Sequence, residues 1–201
     1  YWKVINGHYY FFGSISDGAM RTGWQNIWGK YYYFNSNGEM QYGWQKLNGV
    51  WYYLGKSSDG AMKIGWQVVN NKWYYMNTSG VMQTYWQVIN GHYYFFGSIS
   101  DGSRKTGWQN IWGKWYYLDG NGVMQYGWQK LNGVWYYLGS ASDGAMKSGW
   151  QKINGKWYYL NPNGVMQTYW YLENGKYYFL GADGSRRTGW QTIWGKWYHL
   201  D

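Results

Sequence analysis

The sequence is short of most of what an enzyme or a membrane protein is built from. Its 201 residues contain no Cys, which removes disulfide scaffolds and thiolate metal sites and leaves the redox compartment open. No apolar run comes near the roughly 20 residues that cross a bilayer as a helix, so membrane insertion is not expected. Helical periodicity of 3.6 is absent. Acidic residues number only 9 and His only 3. Asp17, Asp59, Asp101, Asp143 and Asp183 each precede a Gly, where Asp is a turn former. Glu39 and Glu173 stand alone, His8 and His92 are copies in one slot, and His199 occupies a Tyr slot. Neither catalysis, a metal site nor a bound cofactor is therefore expected, and no Gly-rich phosphate loop opens a helix.

What is present is rings and glycines. Aromatic residues make up 25% of the chain and Gly numbers 31, at a mean hydropathy of −0.69. An ordinary core would use Leu, Ile, Val and Ala, so something else organises this chain, and so many rings weigh against disorder. The net charge of +9 is dispersed and favours polyanionic surfaces without naming one. Taking the Trp that follows Gly or Tyr as a marker gives Trp2, Trp24, Trp44, Trp66, Trp86, Trp108, Trp128, Trp150, Trp170 and Trp190, spaced by 20 or 22 residues. Ten units thus cover residues 1–201 as a single repeat array. Residues 85–102 repeat 1–18 with one change, Lys3 to Gln87, so the unit types run A-B-C-D-A-B-C-D-A-B. The chain starts in mid-motif without a signal peptide, and we expect it to be a segment of a larger secreted protein. One small epitope presented many times suits such a repeat better than nucleic acid does.

Each unit has the grammar of a hairpin. In 128–138 two short aromatic strands flank Asn132-Gly133, the strongest local signal for a type I′ turn. A second turn follows, Ser-Asp-Gly in some units and Asn-Gly or Ser-Gly in others. An isolated hairpin is marginally stable, and stacking on neighbours buries a shared core. The expected fold is all-β, a solenoid of about ten tandem β-hairpins wound into a superhelix.

Counting the marker as zero, all 19 Trp fall at zero, +4 or +7, and +8 is always Tyr. Alternate strand residues face opposite sides, so +7 and +9 point one way and +8 and +10 the other. Most markers have a Met four residues before them, adaptable enough to floor a pocket. Two rings of one unit, one from the next and a Met would close a small aromatic box. Some rings must be core, yet repeated Trp exceeds what packing needs. An open aromatic box can hold a quaternary ammonium through cation–π attraction of roughly 0.5–2 kcal/mol per contact. The same rings could stack on sugars.

The run Gly127-Trp128 to Leu138, followed by Gly144-Ala145-Met146 and Gly149-Trp150, resembles the choline-binding (cell-wall-binding) repeat of Gram-positive bacteria and their phages. The pattern there is GW, a short spacer, GxWYYL and then GxMxxGW, and the resemblance covers all ten units. The resemblance implies a left-handed superhelix, a non-catalytic anchor at the bacterial surface, and choline or phosphocholine of teichoic acid as partner. It implies cages at the junctions between units: Trp44, Trp51 and Tyr74; Trp66, Trp73 and Tyr94; Trp108, Trp115 and Tyr136; Trp128, Trp135 and Tyr158; Trp150, Trp157 and Tyr178, with Met82, Met146 and Met166 among the nearby methionines. Taking the third ring from +8 is a choice made from strand alternation.

Some units depart from this pattern. Type A units carry Tyr before the marker and at +7, and two of them lead into Ser103-Arg104 and Ser185-Arg186 where Met is expected. An Arg beside a cage would repel a cation, so those junctions are either empty or take something else. Type B units place Trp28, Trp112 and Trp194 in the hairpin turn, where a ring is exposed. A related family, the glucan-binding repeat of secreted glucansucrases, offers the alternative of a polysaccharide ligand, with Gln at +1 and Lys at +6 as sugar-hydroxyl partners.

Overall fold

The structure, a computed structural model, describes residues 1–14 and 16–201. Among these residues every regular element is a β-strand, and the strands form ten two-stranded sheets, each made of sequence neighbours. The first pairs Trp2–Ile5 with His8–Phe11 and the last pairs Gly189–Ile193 with Lys196–Leu200. The fold is therefore all-β and built of tandem hairpins. Two compact units divide the chain at its fifth hairpin, one made of 1–89 and 94–104, the other of 90–93 and 105–201.

Turn chemistry explains the hairpins. Asn6 and Gly7 have φ of 50° and 82°, and Asn132 and Gly133 of 50° and 86°, the paired left-handed residues that a type I′ turn requires. Trp28, Trp112 and Trp194 hold the same slot at φ of 53°, 51° and 50°. Left-handed backbone costs a residue with a Cβ roughly 1–2 kcal/mol, and Asn recovers part of that through its short polar side chain while Trp does not. In two of these tips Asn26 and Asn110 accept the N–H of Gly29 and Gly113 at 3.1 Å.

The buried core is not made of the tryptophans. Slot +10 supplies it: Phe34, Leu54, Met76 and Phe96 in the first unit, and Leu118, Leu138, Leu160 and Leu180 in the second, all at 0% exposure. Slot +3 adds Ile27, Val69 and Ile89, then Ile111, Ile153 and Ile193. Each fully buried Leu or Phe contributes about 1.5–3 kcal/mol relative to an exposed one. No described Trp is buried, so the indole rings lie between this narrow core and solvent.

Candidate aromatic cages

Hairpin register decides which rings can meet. In the pair Trp44–Leu47 and Val50–Tyr53, Trp44 lies opposite Tyr53 and Lys46 opposite Trp51, so zero, +7 and +9 share one face. In the next pair, Gly65–Val69 and Lys72–Met76, Tyr74 lies opposite Gln67 and so faces the other way. Its ring reaches back to 4.8 Å from that of Trp44, which also has Tyr53 at 5.1 Å and Trp51 at 6.4 Å. The third ring thus comes from +8 of the following hairpin.

The fourth wall comes from further along the chain. Met82 donates its backbone N–H to the Trp51 carbonyl at 2.8 Å. With Trp44, Trp51 and Tyr74 it lines a cavity of 190 Å³ that Ser100 and Asp101 complete. The Met82 thioether also lies over Gly102, whose φ of 58° is the left-handed backbone that favours glycine. The second unit repeats the arrangement: Trp128, Trp135, Tyr158, Met166, Ala182 and Asp183 line 310 Å³, with Trp128 and Tyr158 at 4.9 Å and the Met166 N–H on the Trp135 carbonyl at 2.8 Å.

This backbone tie recurs wherever the chain allows it. The residue four before a marker donates to the carbonyl of slot +7 two units earlier: Met40 to Tyr9, Met62 to Tyr31, Met124 to Tyr93 and Met146 to Trp115, each at 2.8 Å, and Arg104 to Trp73 and Arg186 to Trp157, each at 2.7 Å. The structure therefore brings Trp108, Tyr136, Trp115 and Met146 together, with the first two rings 5.0 Å apart. Trp66 and Tyr94 also stand 5.0 Å apart, and Trp150 and Tyr178 4.9 Å. In these two cages the fourth side chain is Arg. The Arg104 guanidinium lies 5.8 Å from the Trp66 ring centroid and 5.5 Å from that of Trp73, and Arg186 lies 5.2 Å from that of Tyr178.

Sequence reasoning passed over the junctions whose +7 ring is Tyr. Trp2 with Tyr32 and Trp24 with Tyr52 keep the 5.0 Å spacing, and Met40 and Met62 tie back to Tyr9 and Tyr31. The constant Tyr at +8 was the signal that could have found them. Trp170, Tyr177 and Tyr198 likewise border a cavity, of 510 Å³.

Charge distinguishes the cages further. Partial burial first, and then the Asp101 carboxylate, push the Tyr74 phenol above its ordinary value, and burial followed by Asp183, against an opposing Arg187, does the same to Tyr158. Burial pushes the Asp183 carboxyl up, but hydrogen bonds from the Ser185 hydroxyl and N–H, with Arg187 and Lys156 nearby, outweigh it and hold the group below its ordinary value. A carboxylate thus borders both cavities that Met lines. The Gln side chains at +1 are used internally: Gln45, Gln67, Gln129 and Gln151 donate Nε2–H to the carbonyls of Tyr42, Ile64, Tyr126 and Ser148 at 2.8–2.9 Å. The turn rings Trp28, Trp112 and Trp194 are exposed at 83%, 76% and 74%. Among the described residues no group of three His, Asp or Glu could hold a metal ion.

The choline-binding repeat profile matches residues 21–64, 63–102 and 105–150, and a cell wall binding repeat profile matches 148–166 and 188–201. No curated protein matches the chain. Among solved structures it is similar to CbpJ of Streptococcus pneumoniae, with TM-score 0.81 and 32% identity over 100% of this chain and 85% of that one. It is similar to choline binding protein F of Streptococcus pneumoniae, described in the presence of a tetrasaccharide-pentapeptide peptidoglycan analogue, with TM-score 0.71 and 33% identity over 97% and 88%. The choline-binding domain of CbpL from Streptococcus pneumoniae matches with TM-score 0.61 and 31% identity over 92% and 96%.

Proposed function

Because this chain belongs to the choline-binding repeat family, we propose that it is a non-catalytic module that anchors a larger secreted protein to the bacterial cell surface. It does so by holding choline groups of a cell-wall teichoic acid in aromatic cages, with 1–201 serving as one repeat array. The observation that carries this reading is the cavity of Trp44, Trp51, Tyr74 and Met82, and its copy at Trp128, Trp135, Tyr158 and Met166. Three electron-rich ring faces and a polarisable thioether surround a space for a small cation, and Asp101 or Asp183 adds an attractive charge at the edge. A methylated ammonium sheds water readily into such a box. Each site is weak, and several sites engaged on one polymer give avidity without any new contact. The net charge of +9 then serves the phosphates that carry the choline.

A polysaccharide reading draws on the exposed rings of Trp28, Trp112 and Trp194, which could stack on sugar faces. The Gln side chains it draws on are held in place, because one N–H of each amide is donated to a backbone carbonyl. Retention on a quaternary-amine resin, elution by free choline, and parallel tryptophan-fluorescence titrations with choline and dextran decide between the two. We expect choline to elute the protein and change its fluorescence. A response to dextran alone would replace the choline reading with the polysaccharide one.

A further inference from the structure

A cation of the chain lies against both indole rings of one cage, and a second lies against the Tyr ring of another. We propose that Arg104 and Arg186 are internal ligands that occupy the cages of Trp66 and Trp150 in place of an external quaternary ammonium. The residue four before the marker would then set how many such ligands the chain takes. This inference rests on the choline reading and deepens it.

The backbone argument comes first. Arg104 and Arg186 make the same N–H bond to the slot +7 carbonyl as the methionines do, at 2.7 Å against 2.8 Å. The chain therefore delivers the side chain at this position to the same place in every junction, and only its chemistry differs. Met82 and Met166 line cavities. Arg104 instead sets its guanidinium 5.8 and 5.5 Å from the ring centroids of Trp66 and Trp73, and Arg186 sets its own 5.2 Å from that of Tyr178, the third ring of the Trp150 cage, while donating to the Asp201 main-chain carbonyl. These distances lie within reach of a cation–π contact. A guanidinium is planar, permanently charged and weakly hydrated, and so is well suited to lie against indole and phenol faces. In the second of these cages the Trp150 Nε1–H donates to Glu173 at 2.6 Å, which places a carboxylate beside that ring.

The local sequence supports a built device, since both arginines follow a buried Ser. Ser103 and Ser185 are 5% and 1% exposed, and their hydroxyls donate to Asp101 and Asp183 at 2.9–3.0 Å. Where Met holds the position, the preceding residue is Ala, Val or Glu. The Asp bound by each Ser borders the open cavity of Trp44 or Trp128. One short turn thus puts a carboxylate on an open cage and a cation into a filled one. Two consequences follow. The chain takes fewer quaternary ammonium ligands than it has aromatic cages, and the filled junctions hold their rings together without any ligand.

Calorimetric titration of the full chain with choline chloride tests this. Arg104→Met installs the residue used at this position elsewhere, and the number of cholines bound per chain should rise by one. Arg104→Met with Arg186→Met should raise it by two. Arg104→Gln, neutral and of similar reach, provides a second route to an emptied cage should the Met variant fold poorly, and it too should add a site. Circular dichroism confirms the fold of each variant. An unchanged number of sites in folded Met and Gln variants of a chain that does bind choline would overturn the internal-ligand assignment alone. A chain that binds no choline before or after substitution would overturn the choline reading, and this inference with it.

Discussion

Two neighbouring cages in the first compact unit share three aromatic slots and differ in the fourth. Trp44, Trp51 and Tyr74 with Met82 line a cavity of 190 Å³, whereas in the cage of Trp66, Trp73 and Tyr94 the Arg104 guanidinium lies against the two Trp rings. The ring spacings are nearly the same, 4.8 against 5.0 Å for the zero ring and the following Tyr, and 6.4 against 6.2 Å for the zero and +7 rings. Aromatic geometry is therefore a property of hairpin stacking and comes with the fold. Availability of the cage is a separate property, decided by one side chain that arrives from two hairpins further on.

The largest effect on this comparison comes from removing a zero ring. Trp44 touches Trp51, Tyr53 and Tyr74, so Trp44→Ala deletes ring contacts on both sides of a junction. We expect about 2–4 kcal/mol of destabilisation in chemical denaturation, less than for a fully buried Trp because its ring is only half-buried. Trp66→Ala should cost a similar amount. The two should part in calorimetry: Trp44→Ala loses one bound choline and Trp66→Ala loses none. Equal losses of ligand would erase the distinction between an open and a filled cage.

A smaller effect sharpens the same contrast from the other side. Met82→Arg puts into the Trp44 cage the side chain that fills the Trp66 cage. We expect one fewer bound choline with stability changed by no more than about 1 kcal/mol, because the Arg stem packs where the thioether did and the guanidinium gains cation–π contact. The copy at Trp128, Trp135 and Tyr158, four hairpins further along the chain, belongs to the other compact unit and should keep its ligand. Unchanged choline stoichiometry would show that this position does not control access.

How much of this was legible in the sequence follows from the range of each interaction. The hairpins were legible because Asn-Gly marks a type I′ turn within four residues. The third ring at slot +8 was legible because strand alternation is local. The core was not: the apolar side chains of slots +3 and +10, such as Ile27 and Leu54, recur only with the repeat itself, and the more abundant rings drew the expectation instead. The fourth wall was only half legible. Met82, Met146 and Met166 stood out as adaptable side chains, but the pairing of Met82 with Trp51 spans 31 residues and is set by packing across hairpins. Arg104 stood out as a departure from the pattern, while its seat against Trp66 and Trp73 needed coordinates. Gln45 and Gln67 looked like sugar partners, and their backbone acceptors could not be read from composition.

The smallest predicted effect concerns the turn that places the carboxylate on the open cage. The Ser185 Oγ–H donates to both Asp183 oxygens at 2.9 and 3.0 Å, and the Ser185 N–H adds a bond of 3.1 Å. Partial burial opposes ionisation of Asp183, and these bonds, aided by Arg187 and Lys156, reverse that and leave the carboxyl below its ordinary value of 3.8. A depressed carboxyl pKa contributes stability that is fully present above the unfolded value and is lost as pH falls through the folded value. Ser185→Ala removes the hydroxyl bonds and should raise the Asp183 pKa. It should cost about 0.5–1 kcal/mol near neutral pH, kept modest because Asp183 is nearly half exposed. The gap between the two proteins should narrow as the solution is acidified below the ordinary aspartate range. NMR titration of the Asp183 carboxyl and denaturation at graded pH measure both quantities. A gap that stays constant down to strongly acidic pH would mean that Ser185 acts through packing in its buried site, and that the Asp at the mouth of the Trp128 cage owes its charge to Arg187 and Lys156 instead.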